Sequence, residues 1–296
     1  MTPFSPEKLV IFDYSGTLSL EAPHFARPGN LLSTLAESGL SKLGVATLEA
    51  FWGEIVGPTW TEGSTTEIGY KRVMAQRIEA LGLAPGVAGP EIAAASSRLV
   101  DLYLDHSRID PLWRPILENL AGNPDVYVII ATDHYAEATE TIIHNLHSWN
   151  IPARKAGEGT EPRLPAGNGR RPLLGQPFPL FIANSANIGF WKADRRFWET
   201  VQLRLAITAI RSVLIIDDFG FNEEQGDSYG ERAKVEARQK ETATSLQEIF
   251  QTSLTVIPFF LKTGERDRKE AGAQRIAETV RRIHRFLNSG DVTETR

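Results

Sequence analysis

At four places in this sequence a side chain able to handle phosphate or a divalent cation stands after a short apolar run. Leu9–Phe12 is followed by Asp13-Tyr14-Ser15-Gly16-Thr17, and Val126–Ala131 by Thr132-Asp133. Leu180–Ala183 is followed, in a loop that leads to a helical pattern, by Lys192; Val213–Ile216 is followed by Asp217-Asp218. A hard dication such as Mg²⁺ takes oxygen ligands, usually one or two carboxylates completed by water and substrate phosphate. Asp13 and the Asp217/Asp218 pair supply that charge. A carboxylate held next to such an ion can attack phosphorus in line and form an aspartyl-phosphate. Thr132 can donate to a phosphoryl oxygen, and Lys192 can neutralise both the nucleophile and the equatorial oxygens. Gly16 permits a tight turn and close backbone approach, and Thr17 can brace that loop.

The elements that must position these groups follow from the pattern. The four runs, and a fifth at Leu254–Leu261, are short, β-branched or aromatic, and bounded by polar or turn residues. They are expected to be strands buried on both faces, as in a parallel sheet. Helical patterns lie between them at Leu112–Ala121, Ala136–Trp149, Arg195–Thr208 and Gly230–Phe250, with a last one at Gly264–Leu287. The alternation predicts an α/β fold, a doubly wound, Rossmann-like parallel sheet. In such sheets ligands sit at the carboxyl ends of the strands. Residues 21–110 break the rhythm. They hold amphipathic stretches such as Gly69–Leu81 and Glu91–Leu104, separated by breaks at Gly57-Pro58 and Pro85-Gly86. This predicts an inserted helical cap over 21–110, with residues 1–20 and 111–296 forming the core. Ile151–Pro179 holds six prolines and five glycines, so a long loop is expected there.

Composition sets the outer bounds. With 296 residues the chain can bury a full core. A net charge of −5 argues against wholesale nucleic-acid binding. The absence of cysteine excludes disulfides, thiolate zinc sites and thiol nucleophiles. Neither a membrane span nor a signal peptide is read from the sequence, so a cytoplasmic protein is expected.

Taken together, these stretches resemble the haloacid dehalogenase superfamily, most of whose members are phosphatases. Asp13-Tyr14-Ser15-Gly16-Thr17-Leu18 resembles its first motif, and Ile130-Ala131-Thr132 the second. The stretch from Ser185 through Lys192 to Trp198 resembles the third, and Ile215-Ile216-Asp217-Asp218-Phe219-Gly220-Phe221-Asn222 the fourth. The helical insertion after the first motif matches the position of that superfamily's common cap. The resemblance implies Asp13 as nucleophile and metal ligand, the main-chain carbonyl of Ser15 as a second ligand, and Asp218 as a metal ligand assisted by Asp217. It implies Mg²⁺ as cofactor and a small phosphorylated molecule as substrate.

One position departs from the pattern. Where superfamily phosphatases carry a second aspartate as general acid and base, this chain has Ser15, a poor acid or base near neutrality. Losing such help costs about 10²–10⁴ in rate. His24, His134 and Asp133 are the candidates to stand in, although Asp133 is equally suited to cap the helix beginning near Tyr135. Arg72 and Arg98 are candidates to bind substrate anions. A phosphonatase-like reaction would need an amine from the cap, Lys42 or Lys71; a dehalogenase-like reaction would need no Mg²⁺. The remaining alternative is a scaffold that binds a phosphorylated ligand or a protein partner without turnover. Trp52 and Trp60 are expected to pack within the cap or against the core.

Overall fold

The computed structural model describes residues 6–158, 178–223, 230–261 and 268–289. Six parallel strands form one sheet in the order β3-β4-β2-β1-β5-β6. They are β1 (Lys8–Phe12), β2 (Val126–Thr132), β3 (Ala153–Lys155), β4 (Leu180–Asn184), β5 (Ser212–Asp217) and β6 (Ser253–Pro258). The central strand β1 pairs with β2 on one side and β5 on the other, placing Phe12 beside Ile130 and Ile216. The chain winds first one way from β1 and then the other, so the switch point lies beside Asp13.

The β-branched runs make two-sided apolar strands, and each face of the sheet has its own core. Val10, Phe12, Ile130 and Ile216 face Trp113, Leu117 and Phe259. Leu9, Ile11, Ile129 and Ile215 face Phe197, Trp198 and Leu246. The helices on these faces are α6 (Arg114–Ala121), α7 (Glu137–Ser148), α9 (Arg195–Arg204), α10 (Arg232–Phe250) and α11 (Arg268–Asn288), with the single turn α8 (Ser185–Ile188) after β4.

Between β1 and α6 the chain is helical: α1 (Ala22–Phe25), α2 (Pro28–Ser38), α3 (Gly57–Thr65), α4 (Tyr70–Leu81) and α5 (Gly89–His106). These helices bury a separate apolar cluster around Leu31, Leu35, Ile55, Met74, Ile78 and Leu99. Among the polar contacts that fasten this layer to the sheet are those of Glu137, Ser185 and Asn187. The Glu137 carboxylate of α7 accepts from the backbone N–H groups of Tyr70 (2.9 Å) and Lys71 (3.0 Å), the orphan donors at the start of α4. The Ser185 hydroxyl donates to the carbonyl of Ser64 at 2.5 Å. Asn187 Nδ2 donates to Glu67 Oε1 at 3.0 Å.

Four expectations need correction. The fifth run is not buried on both faces: β6 is the sheet's edge, and Ser253 and Thr255 are exposed and Leu254 and Val256 half-buried, while Ile257 is buried. Gly57-Pro58 is not a helix break. A π-helical turn over Ala50–Val56 runs directly into α3, with the Gly57 N–H bonded to the carbonyl of Trp52 five residues back. That wider turn accommodates the missing N–H of Pro58 within a continuous helical path. The stretch read as a loop at 151–179 begins with β3, which extends the sheet beside Leu180–Ile182; residues 159–177 lie outside the described ones. Finally, α9 ends at Arg204 rather than at Thr208, because Ala206 adopts a left-handed backbone (φ 49°).

Candidate active site

The strand ends bring together the residues singled out by type. Asp13 follows β1, Thr132 ends β2, Asp217 ends β5 and Asp218 follows it. Lys192 arrives on the loop between α8 and α9. Its Nζ donates to Asp13 Oδ1 at 2.5 Å and to Asp217 Oδ2 at 2.8 Å. All five side chains are buried. The lysine is held at both ends of its own residue: its N–H donates to Asp133 Oδ1 at 2.8 Å, and its carbonyl accepts from Trp198 Nε1 at 2.8 Å.

The loop after β1 is tied to the loop after β5. Thr17 Oγ1 accepts from the Asp218 N–H at 3.1 Å. Asn222 Nδ2 donates to the carbonyls of Gly16 and Phe259, each at 2.7 Å, and its Oδ1 accepts from the Leu261 N–H at 2.9 Å. Asp218 Oδ2 accepts from the Asn222 N–H at 2.8 Å, and Oδ1 from the Gly220 N–H at 3.1 Å. Gly16 takes a φ of 74°, and a Cβ there would stand 2.5 Å from Asp218 Oδ2. The glycine therefore serves the close approach of the two loops as well as the turn.

Asp13, Asp217 and Asp218 offer carboxylate oxygens within 4.8 Å of one another. Among the described residues, one ammonium, that of Lys192, bonds to two of these three buried acids. Burial pushes the Asp13 carboxyl well above the ordinary carboxylate range; Lys192 opposes the shift, while Asp217 and Asp218 add to it. Burial, then the charges of Asp217 and Glu223, push Asp218 up to about 8. The excess negative charge and the all-oxygen donor set fit a hard divalent cation, which would return these acids to their ionised forms.

Around this point opens a cavity of about 740 Å³. Ser15, Thr132, His134 and Tyr103 line its foot, and Phe25, Phe51, Trp52 and Trp60 its helical wall. Beside Ser15 lies a carboxylate: Ser15 Oγ donates to Glu223 Oε1 at 3.5 Å. His134 is fully engaged. Its Nδ1 accepts from the Tyr135 N–H at 2.8 Å, and its Nε2 meets the Tyr103 hydroxyl at 2.7 Å. Burial lowers its pKa to about 4, so it stays neutral near pH 7 and is not the proton carrier considered above.

Several other candidates fall away. Asp133 does not cap α7, which starts at Glu137; it anchors the Lys192 backbone instead. His24, Arg72 and Arg98 do not line the cavity. Arg98 Nε donates to the carbonyl of Ser38 at 2.9 Å. Lys42 is exposed, and Lys71 pairs with Asp101 at 2.5 Å, so neither supplies an amine to the site. Trp60 packs edge-to-face on Tyr135, as expected of a packing residue, while also forming the cavity wall.

Two site residues escape a reading of the sequence. Glu223 stands just past the fourth motif, and its place in the same loop as Asp218 was the available signal. Tyr103 looks like one more large residue on an amphipathic helix; nothing in the sequence aims its hydroxyl at Ser15, beside which it lies.

No protein-family model matches the sequence, and no curated protein does. Among solved structures, a 2-haloacid dehalogenase from Pseudomonas syringae pv. Tomato DC3000 aligns over 93% of this chain and 99% of its own, with 16% identity and a TM-score of 0.49. At that distance no residue's role is carried over from it. The fold stands on its own coordinates as an α/β sandwich around an all-parallel sheet.

Proposed function

We propose that this protein is a haloacid-dehalogenase-like hydrolase that removes a phosphoryl group from a small phosphate ester, with Asp13 as the nucleophile. The observation that carries this reading is the convergence of Asp13, Lys192, Asp217 and Asp218 on one buried point at the sheet's switch point. Asp13, the Ser15 carbonyl and Asp218, with Asp217 directly or through water, would hold Mg²⁺; the ion would neutralise charge on the transferring phosphoryl group. Lys192 keeps the Asp13 carboxylate oriented and faces the equatorial oxygens. Thr132 donates to one of them. The helices over residues 22–106 act as the cap that shields the phosphoryl group from water.

The test is a set of phosphate esters assayed with and without Mg²⁺ against wild type, Asp13→Asn and Ser15→Asp. Phosphate release that needs Mg²⁺ and disappears in Asp13→Asn is expected. Ser15→Asp should raise the hydrolysis of alkyl esters, towards the ~10²–10⁴-fold that a positioned acid contributes. Turnover in wild type no greater than in Asp13→Asn would favour a binding role instead.

A second reading, hydrolysis of a carbon–halogen bond by the same Asp13, is favoured by Ser15, since a halide leaves without a proton. Metal-independent halide release from a 2-haloacid would establish it in place of the first.

A further inference from the structure

The cavity above Asp13 has two unlike ends. At its foot are the acids, Lys192, Thr132 and Ser15, with Glu223, Lys234 and Arg238 lining it beside them. The wall contributed by the helical layer is built from Phe25, Phe51, Trp52, Trp60, Leu99 and their neighbours, and among the described residues no charged side chain from that layer lines it. One polar group on that side, Tyr70, is already engaged. The Tyr70 hydroxyl lies 3.2 Å from Thr59 Oγ1, and its ring stacks on Tyr135 with centroids 3.9 Å apart. A sugar or nucleotide in this space would bring hydroxyls and amides to a wall with few partners, and each group left unsatisfied there opposes binding. A flat aromatic group would meet ring faces and edges.

The reacting end gives the same answer independently. Ser15 cannot protonate a departing oxygen, so the site favours a leaving group stable as its anion. A phenol, with a pKa of about 10, departs unaided far more readily than an alkanol, whose pKa lies far higher, near that of water. Tyr103 completes the arrangement. Since His134 Nδ1 accepts from a backbone N–H, the ring's proton sits on Nε2 and is donated to the Tyr103 oxygen. The Tyr103 hydrogen then lies near Ser107 and Ser15, and beside Ser15 it can turn to an oxygen departing at the cavity foot.

Building on the phosphatase reading, we infer that the substrate class is the phosphate monoester of an aromatic alcohol, with the aryl group in the tryptophan-walled end of the cavity. An Asp13 oxygen bonds to phosphorus as the bond from phosphorus to the aryl oxygen breaks. The electron pair leaves on that oxygen, which takes a hydrogen bond from Tyr103 and then a proton from solvent. Water then attacks phosphorus, the bond to Asp13 breaks, and the carboxylate is restored. Aryl phosphate dianion and water become phenol and hydrogen phosphate.

The experiment has two arms. In the first, 2-naphthol alone, without metal or phosphate, is titrated into the full chain and tryptophan quenching is followed. Saturable quenching is expected, weakened about tenfold in Trp60→Ala. The same loss is expected in Leu48→Glu, which puts a charge at a half-buried wall position and guards against misfolding of the first variant. In the second arm, kcat/KM for 2-naphthyl phosphate should exceed that for hexyl phosphate and glucose 6-phosphate by about a hundredfold or more. Hydrolysis of all three at similar efficiency, or no binding of naphthol, overturns the substrate class while leaving the phosphatase reading standing. Naphthol binding with no ester hydrolysed and no phosphorylation of Asp13 overturns both.

Discussion

At the scale of single residues the site is a charge-balance problem, with Lys192 at its centre. Its ammonium is the shared partner of Asp13 and Asp217, and both acids are almost wholly buried. Removing one member of a buried ion pair leaves an uncompensated charge, at a cost of about 3–5 kcal/mol. Lys192→Met should lower stability by that amount in metal-free buffer, read by denaturant unfolding; a loss below about 1 kcal/mol would mean the lysine is not holding these acids. His134 gives a pH signature. The unfolded chain protonates this ring below its ordinary 6.5, the native protein only below about 4. The native state therefore has its full advantage above 6.5 and loses it as pH falls towards 4. The carboxylates titrate in both proteins, so the difference between wild type and His134→Asn isolates this ring. Wild type should lose about 3 kcal/mol more than the variant across that window. Parallel stability profiles would contradict the buried neutral imidazole.

At the scale of elements, what matters is how one segment lends a group to the end of another. Glu137 belongs to α7 yet satisfies the first two N–H groups of α4, and a Cβ on Gly69 would stand 2.9 Å from its carboxylate. Glu137→Ala should therefore cost about 0.5–2 kcal/mol, the range of a lost helix cap. It should also raise amide exchange selectively at the start of α4; uniform exchange changes would argue against a local cap. Contacts of this kind explain what the sequence could and could not disclose. Apolar runs identified β1, β2, β4 and β5 because a two-sided strand must be apolar along its length; the edge strand β6 was found by its apolar run although it is not buried on both faces. The three-residue β3 carries no such run and exists by pairing with β4. The π-helical turn before Pro58 is a local compromise with no periodic trace. At the site, Asp13, Thr132, Lys192 and Asp217/Asp218 were legible because their chemistry is fixed by residue type and strand-end position. Glu223 and Tyr103 were not, because only the folded chain shows which loop glutamate and which helical tyrosine face Ser15.

At the scale of the whole molecule, the parallel sheet joins residues distant in sequence. Asp13 and Lys192 lie 179 positions apart and meet because β1, β2 and β4 are neighbours whose carboxyl ends share one edge. The helical layer above has its own apolar cluster, so its wall can vary without disturbing the acids below. This division of labour places the chemistry on Asp13. The direct test is acid-quenched mass analysis of the full chain after brief mixing with 2-naphthyl phosphate and Mg²⁺. The peptide bearing Asp13 should gain one phosphoryl group, absent in Asp13→Asn. Turnover with no adduct at that peptide, or with the adduct on a different residue, would contradict it.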